Sequence, residues 1–447
     1  MKSIKKLLTS LLTKCFLIIL VVVLMCLSVL VVNADEYTIN DIAKQQEVSI
    51  DQNNNILNYF RDTIKLSRTN YDPLNMELSY PDYYGGSYLD ENGKLNILLT
   101  NNNEYTKKQL RDVAQNDELT FVTASYSYAE LTEMINTIIS YQDDYYNRIL
   151  NDNSYDIARD IVECTLDDMN NRIIVGIKEL TETKIKEFNN KVLNSNAIQF
   201  ENSICTPMLN SEISKEAKEV SYQKLDSSIF TESVERSFTV KPGMQIFCNN
   251  GYNYSAGFPV YRTITSGKQY GFLTAGHLME VGDIIYNPND FDQDAIGTVR
   301  LNRVGGKYDV SFVSLNSGTV CSNNIANTTH YLCPSNYELD YPVSGKTVSL
   351  YGFRSYTSGK IRSTNYSFHN GDNTSFTGMV ATDYDSMPGD SGGLVASICT
   401  GSESGVNYTK MQEGIHCGYR KLDNNSIVGA YYCSAVNIVN LWYLVCY

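Results

Sequence analysis

The chain has few of the features that nucleic-acid-binding and zinc-binding proteins use. Its 447 residues include 36 Lys and Arg against 50 Asp and Glu, which gives a formal net charge of −14. Beyond the N-terminus no basic cluster stands out, so we expect no nucleic-acid partner. The four histidines are scattered and no Cys-x-x-Cys pair occurs, which argues against a structural zinc site. We therefore expect neither a metal ion nor another cofactor.

Long apolar runs are also scarce, and the one that exists lies at the N-terminus. Four lysines precede or border the apolar residues 16–32, and Val32-Asn33-Ala34 has the small residues of a signal-peptidase site. This pattern predicts a signal peptide over 1–34 and a secreted protein. The run is close to the lower length limit for a membrane span, so an anchor formed by 16–32 is the alternative.

Nine of the 11 cysteines follow Ala34, which is an odd number for an exported protein. In an oxidising compartment some of them should form disulfides, although sequence does not give the pairing. Cys321 and Cys333 are the simplest pair to expect because they bracket one short stretch of chain.

Composition divides the remainder of the chain into three segments. Residues 35–205 combine a hairpin signal at Asn92-Gly93 with the capping box Ser127–Glu130, which precedes apolar residues at helical spacing. This segment is predicted to be α+β. Residues 206–240 are polar with little periodicity, as in an exposed linker that holds a processing site. From 241 to 447, short apolar runs alternate with turn residues, which predicts an all-β domain of two packed barrels.

One turn in the all-β segment has the composition of a nucleophile turn. In Pro388–Gly393, Asp390 precedes Ser391, and Gly389 and Gly392 bracket the pair. Glycine lets the backbone bend tightly enough for neighbouring N–H groups to point at one place, as an oxyanion hole requires. An ordinary glycine turn is the alternative interpretation of this stretch alone.

Two upstream residues complete a candidate catalytic triad. His277 ends the strand-like run that begins at Gly271, and Asp309 enters an apolar strand after Tyr308. A buried acid is costly unless it is hydrogen-bonded, and orienting an imidazole meets that requirement. Taken separately, a satisfied lone histidine and a solvated strand-end acid explain the two residues as well. The order His, Asp, Ser is that of chymotrypsin-type enzymes.

These motifs resemble those of the chymotrypsin-fold serine peptidases. The similarity is closer to the secreted bacterial branch that includes streptogrisins and α-lytic protease, and it covers about residues 240–447. Its motifs are Gly271–His277, Tyr308–Val310 and Met379–Gly393. The resemblance implies an all-β fold of two six-stranded antiparallel barrels preceded by an α+β pro-domain.

The resemblance also implies a role for each triad residue. His277 would be the general base, Asp309 its orienting partner and Ser391 the nucleophile. The N–H groups of Gly389 and Ser391 would form the oxyanion hole. Peptide bonds would then be hydrolysed without a cofactor.

Further residues are candidates for substrate binding. Gly414–Gly418 resembles the strand that pairs with the substrate backbone, which implicates Cys417 and Gly418; a plain core strand is the alternative. Asp385 lies six residues before Ser391, where trypsin-like relatives place an acid at the pocket base that selects Lys or Arg. Pro388 instead favours the bacterial register, in which this position lies at the pocket rim.

The sequence departs from the family pattern in three places. Leu278 and Asp385 stand where the family often has disulfide cysteines, so both usual disulfides are absent. The acid next to the serine is often held by an arginine on an earlier strand, but that position corresponds to Leu350 or Tyr351 here. Arg354 is close in sequence, and the partner of Asp390 stays unassigned.

Two upstream stretches are similar to the pro-regions of these peptidases. They are Tyr84–Leu95 and Asn171–Gly176, and a generic α+β domain is the alternative. Such pro-regions help the enzyme to fold and inhibit it until they are removed. The sequence therefore predicts a monomeric, secreted serine endopeptidase precursor that acts on proteins or peptides. The alternative function is a non-catalytic binding protein, secreted or membrane-anchored, on a peptidase scaffold.

Overall fold

The fold is taken from a computed structural model. It describes residues 41–63, 80–148, 155–209, 238–287, 295–333, 339–370, 374–403, 406–422, 424 and 426–447. The predicted signal segment and most of the predicted linker lie outside these residues, so both stay predictions. Within the described ranges, no helix is long and apolar enough to cross a membrane.

The upstream region mixes helices and strands, as its composition predicts. Its helices are α1 (41–63), α2 (Glu104–Ala114), α3 (Tyr128–Arg148) and α4 (Glu182–Lys191). Its strands are β1 (Tyr84–Leu89), β2 (Leu95–Leu99), β3 (Thr120–Thr123), β4 (Ile161–Asp167), β5 (Arg172–Ile177), β6 (Ile198–Asn202) and β7 (Cys205–Leu209). β1, β2 and β3 form one sheet, and β4, β5 and β6 are neighbours in a second sheet.

Local sequence signals explain two of these elements. Gly93 has a φ of +75° in the turn between β1 and β2, a conformation that glycine adopts without the strain of a side chain. At the start of α3, the Ser127 N–H donates to Glu130 Oε2 (2.7 Å) and the Glu130 N–H donates to Ser127 Oγ (3.2 Å). These reciprocal bonds satisfy N–H groups that the first helical turn leaves without partners.

The described residues of the downstream region are almost entirely strands, with one helix, α5 (Ala435–Trp442), just before the last strand. Its first strands are β8 (Phe238–Val240), β9 (Gln245–Cys248), β10 (Asn253–Ser255), β11 (Pro259–Ile264), β12 (Gly267–Thr274), β13 (Ile284–Tyr286), β14 (Ala295–Gly305), β15 (Tyr308–Leu315) and β16 (Thr319–Cys321). The others are β17 (Thr347–Tyr351), β18 (Tyr356–His369), β19 (Ser375–Thr382), β20 (Leu394–Glu403), β21 (Val406–Leu422), β22 (Ile427–Ser434) and β23 (Val445–Cys446).

These strands form the two barrel-like sheets that the sequence predicts. The second has the order β17-β20-β21-β22-β19-β18, and additional pairing of β17 with β18 closes it into a six-stranded barrel. The first has the order β10-β9-β13-β14-β15-β12-β11-β23, so it contains eight strands rather than the expected six. Two short strands account for the difference: β10, and the C-terminal β23, which pairs with β11.

The upstream region is joined to the second barrel through backbone pairing. β4 pairs antiparallel with β18, which makes β4, β5 and β6 a continuation of the barrel sheet. β7 pairs antiparallel with β21 on another edge of the barrel. A shared hydrophobic core connects the two barrels, with Leu273 and Phe312 from the first and Leu394 and Ile415 from the second. The candidate site lies beside this core.

The predicted disulfide between Cys321 and Cys333 is wrong. Cys333 is bonded to Cys399 on β20, 66 residues further along the chain. The fold explains the difference, because the Cys333 N–H donates to the carbonyl of Lys410 on β21, the neighbour of β20. Cys321 ends β16, which pairs with β8, and its thiol is free. Nearness in sequence did not correspond to nearness in the fold.

Candidate active site

Three side chains from different strands and turns converge in a buried hydrogen-bonded chain. Ser391 Oγ lies 2.8 Å from His277 Nε2, and His277 Nδ1 lies 2.7 Å from Asp309 Oδ2. All three residues are at most 3% exposed. The first barrel supplies His277 just after β12 and Asp309 within β15, and the second supplies Ser391 just before β20. The structure therefore brings together the three residues that the sequence singled out.

Backbone donors fix the carboxylate of Asp309. Its Oδ1 accepts hydrogen bonds from the N–H groups of Gly276 (2.9 Å) and His277 (2.7 Å), which leaves Oδ2 for the imidazole. A Cβ on Gly276 would lie 2.7 Å from the Val310 nitrogen, so only glycine permits this approach. The buried acid thus has the partners that its burial requires.

The turn around Ser391 relies on glycine. Gly389 and Gly392 have φ values of +97° and +85°, a region that L side chains rarely adopt. A Cβ on Gly392 would lie 2.1 Å from Thr274 Oγ1, so glycine also lets the turn approach β12. Within the described residues, neither the Gly389 N–H nor the Ser391 N–H donates to an acceptor. Both donors are therefore available to an external oxygen.

The structure identifies the partners of Asp390, which the sequence left unassigned. Oδ1 accepts from the N–H groups of Arg354 (2.9 Å) and Ser355 (3.0 Å), and Oδ2 accepts from the Met387 N–H (2.7 Å). The guanidinium of Arg354 instead lies over the Phe353 ring. Three backbone donors thus satisfy the buried carboxylate in place of an arginine side chain.

Ser255 is a positioning residue that sequence reasoning missed. Its N–H donates to the carbonyl of Ser391 (2.7 Å) and its hydroxyl donates to the carbonyl of Gly389 (3.0 Å). Ser255 ends β10 of the first barrel, so these bonds hold the nucleophile turn of the second barrel against the first. A serine in a short strand gives no signal of this role, because its partners lie more than 130 residues away.

Asp385 is exposed, and its backbone carbonyl accepts a hydrogen bond from Thr357 Oγ1. A pocket-base carboxylate that selects Lys or Arg would be enclosed, so the exposed position fits the rim alternative better. Its neighbours Tyr384 and Ser386 are buried instead. We therefore do not propose a preference for basic residues.

Cys417 and Gly418 lie beside the triad on β21. The Cys417 carbonyl accepts a hydrogen bond from Ser391 Oγ (3.3 Å). Gly418 is opposite Leu209 of β7 in the antiparallel ladder, so a strand of the chain itself occupies this edge. Sequence reasoning identified the edge but not its occupant.

A second buried histidine, His416, precedes Cys417 and was given no role by sequence reasoning. Its Nδ1 lies 3.1 Å from the hydroxyl of the buried Tyr384. Burial, and then the nearby charge of His277, lowers the pKa of His416 to about 3. This imidazole is therefore neutral at physiological pH. Among the described residues, no group of His, Cys, Asp and Glu side chains could hold a metal ion.

Comparison with protein families identifies the upstream region. Residues 39–124 match the Pro-like N-terminal domain, and residues 129–203 match the Pro-like C-terminal domain. Together with the two barrels, these matches confirm the resemblance to bacterial chymotrypsin-fold proteases that are made with pro-regions. A search of the curated proteins finds no match.

Several solved structures are similar to part of the chain. Nocardiopsis protease (NAPase) is 21% identical and covers 47% of this chain and 99% of its own, with a TM-score of 0.37. Thermobifida fusca protease A is 21% identical and covers 47% and 98%, also with a TM-score of 0.37. A structure described as a glutamic acid specific serine protease that uses a histidine triad in substrate binding is 20% identical, covers 46% and 100%, and has a TM-score of 0.35.

Proposed function

We propose that the protein is the precursor of a secreted serine endopeptidase that uses Ser391, His277 and Asp309. The observation that carries the proposal is the continuous hydrogen-bonded chain through these three residues. Pro-like domains upstream support a precursor. The apolar run preceded by lysines supports export.

The geometry accounts for each step of peptide hydrolysis. Ser391 Oγ attacks the substrate carbonyl while its proton moves to His277 Nε2. Asp309 keeps the Nδ1 proton in place and stabilises the imidazolium that forms. The N–H groups of Gly389 and Ser391 stabilise the oxyanion, and the imidazolium returns the proton to the leaving amine. A water molecule activated by the same imidazole then hydrolyses the acyl-enzyme.

The upstream region would keep the enzyme inactive until it is removed. β7 is paired with β21 at Gly418, next to the carbonyl that Ser391 contacts. A substrate backbone cannot pair with an edge that is already occupied. Cleavage after Leu209 would separate this strand from the peptidase domain. Most of the predicted linker that holds the processing site, 206–240, lies outside the described residues.

Labelling with a fluorophosphonate tests the proposal, because such probes react with a serine that a working triad activates. We expect one adduct, on Ser391, in the full chain after long incubation. Ser391→Ala should abolish it and His277→Ala should strongly reduce it. Ser386→Ala is the matched control, since this buried serine is close in sequence but outside the triad. A folded wild-type chain that still fails to label after an added protease has removed the upstream region would instead favour the non-catalytic binding protein.

A further inference from the structure

A short segment just before β17 packs into the upstream region. Val343 is fully buried and belongs to the same hydrophobic core as Ile50 of α1. The Leu89 N–H donates to the carbonyl of Ser344 (2.8 Å), which joins the end of β1 to the same segment. Residues 339–346, called the docking segment below, therefore form a contact that holds α1 and β1 on the second barrel.

The docking segment contributes two residues to a buried cluster of charges. Lys346 is fully buried, and its Nζ lies 2.8 Å from Asp340 Oδ2 and contacts Glu413 Oε1. Glu413 lies on β21 and is also fully buried, and its Oε1 accepts a hydrogen bond from Ser397 Oγ (2.6 Å). Within the described residues, Glu413 Oε2 has no hydrogen-bond partner. One ammonium group thus faces two carboxyl groups in a buried position.

α1 completes this cluster from the upstream side. Asn54 Nδ2 donates to Asp340 Oδ1 (2.8 Å), and the Tyr341 N–H donates to Asn54 Oδ1 (3.0 Å). Asp51 lies about one turn earlier on α1 and adds a third carboxylate. Partial burial raises the pKa of Asp51, and the negative charges of Asp340 and Glu47 raise it further. The acids of α1 and the acid of the docking segment therefore repel each other across this contact.

The charge of the cluster changes near neutral pH. Burial raises the pKa of Glu413 to about 7, against the opposing effect of Lys346 and with a further increase from Asp340. Tyr432 on β22 is also close to Glu413, but burial holds the pKa of this phenol well above its ordinary value, so it stays neutral. While Glu413 is protonated, Lys346 and Asp340 form a neutral pair. Once Glu413 ionises, the cluster adds a negative charge next to the acids of α1.

Removal of α1 would lower the pKa of Glu413. It takes Asn54 away from Asp340 and lets water reach the cluster, and hydration favours the ionised form of a carboxyl group. A carboxyl group whose pKa is higher in the docked state favours docking below its undocked pKa. That contribution is lost as the pH rises through the docked value, which is about 7 for Glu413. Docking of α1 is therefore strongest at acidic pH.

We propose that Lys346, Asp340 and Glu413 form a proton-dependent latch for the upstream region. The latch holds α1 on the second barrel in acidic surroundings and releases it as the pH rises through neutrality. It determines when this contact opens and has no part in the cleavage of a peptide bond. The inference therefore goes beyond the proposed function and would apply equally to a non-catalytic protein.

Hydrogen exchange of the backbone amides in the full chain tests the latch. Every chain carries Ser391→Ala, so that it cannot cleave itself. An isolated helix is marginally stable in water, so the amides of α1 (41–63) should exchange faster once the helix is undocked. We expect their protection factors, which are corrected for the intrinsic effect of pH on exchange, to fall about tenfold between pH 6 and pH 8. A tenfold change corresponds to a difference of about one pH unit between the docked and undocked pKa values of Glu413.

Two variants remove charges from opposite sides of the contact. Glu413→Gln keeps the size of the side chain but cannot ionise, so the protection of α1 should change by less than about threefold over the same pH range. Asp51→Asn removes one of the repelling charges of α1. It should raise the protection of α1 about threefold at pH 8, as expected for a partly exposed charge pair, and have a smaller effect at pH 6.

Asp62→Asn is the matched control on the same helix. Asp62 is exposed and lies further along α1 than Asp51, by about 16 Å of helical rise. Its replacement should leave the pH dependence of α1 protection unchanged. The amides of α3, which do not contact the cluster, should show the same protection and the same pH dependence in all of these chains.

Two outcomes overturn the inference. One is that the protection of α1 does not change between pH 6 and pH 8 in the parent chain. The other is that it falls equally in the parent, Glu413→Gln and Asp51→Asn chains. If Glu413→Gln also lowers the protection of α3, that chain is not intact, and the result with the surface variant Asp51→Asn decides. Neither outcome affects the proposed function, because Ser391 is replaced in every chain.

Discussion

At the scale of single residues, the turn that carries Ser391 is held by backbone donors rather than by a cation. Asp390 is completely buried, and the three hydrogen bonds that its carboxylate accepts all come from backbone N–H groups. A sequence cannot reveal such partners, because every residue except proline has the same N–H. Arg354 is close in sequence, but its guanidinium lies over the Phe353 ring and only its backbone N–H donates to the acid.

Asp390 and Arg354 should therefore respond differently to substitution. Asp390→Ala removes the acceptor of three buried N–H groups and loosens the oxyanion hole, so kcat should fall about a hundredfold or more. Arg354→Ala leaves those groups in place, and kcat should stay within about threefold of the wild type. Steady-state hydrolysis of one peptide by both variants decides this. Equal losses would mean that the guanidinium supports the turn.

At the scale of elements, the upstream region contacts the second barrel through Asp168, a carboxylate whose pKa is raised by burial. Asp168 follows β4 and accepts hydrogen bonds from Thr364 on β18, at Oγ1 (2.7 Å) and at the N–H (3.1 Å). Burial raises the pKa of Asp168 to about 7. In the unfolded chain the pKa of an aspartate is near 3.9, so folding favours the protonated form.

The sign of this shift predicts how stability varies with pH. The contribution of Asp168 is fully present below its unfolded pKa and is lost as the pH rises through about 7. Two chains are compared that both carry Ser391→Ala, one with Asp168 and one with Asp168→Asn. We expect the advantage in free energy of unfolding of the chain that keeps Asp168 to shrink between pH 4 and pH 7. Denaturant unfolding of both chains across this range measures it. A difference that is constant or grows with pH would contradict the assignment.

The elements also show which parts of the fold could be predicted. The hairpin at Asn92-Gly93 and the capping box Ser127–Glu130 depend on bonds between near neighbours, and both are present. The disulfide of Cys333 and the anchoring by Ser255 depend on strands far apart in sequence, and neither was predicted. Ser391, His277 and Asp309 could be singled out as a candidate triad despite their long spacings, because each of them lies in a distinctive local motif.

At the scale of the whole molecule, the upstream region completes surfaces of the second barrel. It adds β4 to β18 and β7 to β21. Two barrels built from distant strands fold slowly, because loop-closure entropy is lost before contacts form. We therefore expect residues 244–447 alone to recover little activity on refolding, and residues 35–240 added in trans to raise the yield. Equal yields of active enzyme in both mixtures would rule out a folding role.

The central claim is that Ser391, His277 and Asp309 act as one catalytic unit. The most direct measurement is the rate of peptide-bond hydrolysis by the matured wild-type enzyme and by the Ser391→Ala enzyme, matured by an added protease. Loss of the nucleophile should lower kcat about ten-thousandfold or more. His277→Ala should lower kcat by about as much, because the residues of a triad act as a unit and the effects of removing them are not additive. Hydrolysis by purified Ser391→Ala at a rate near that of the wild type would contradict the account.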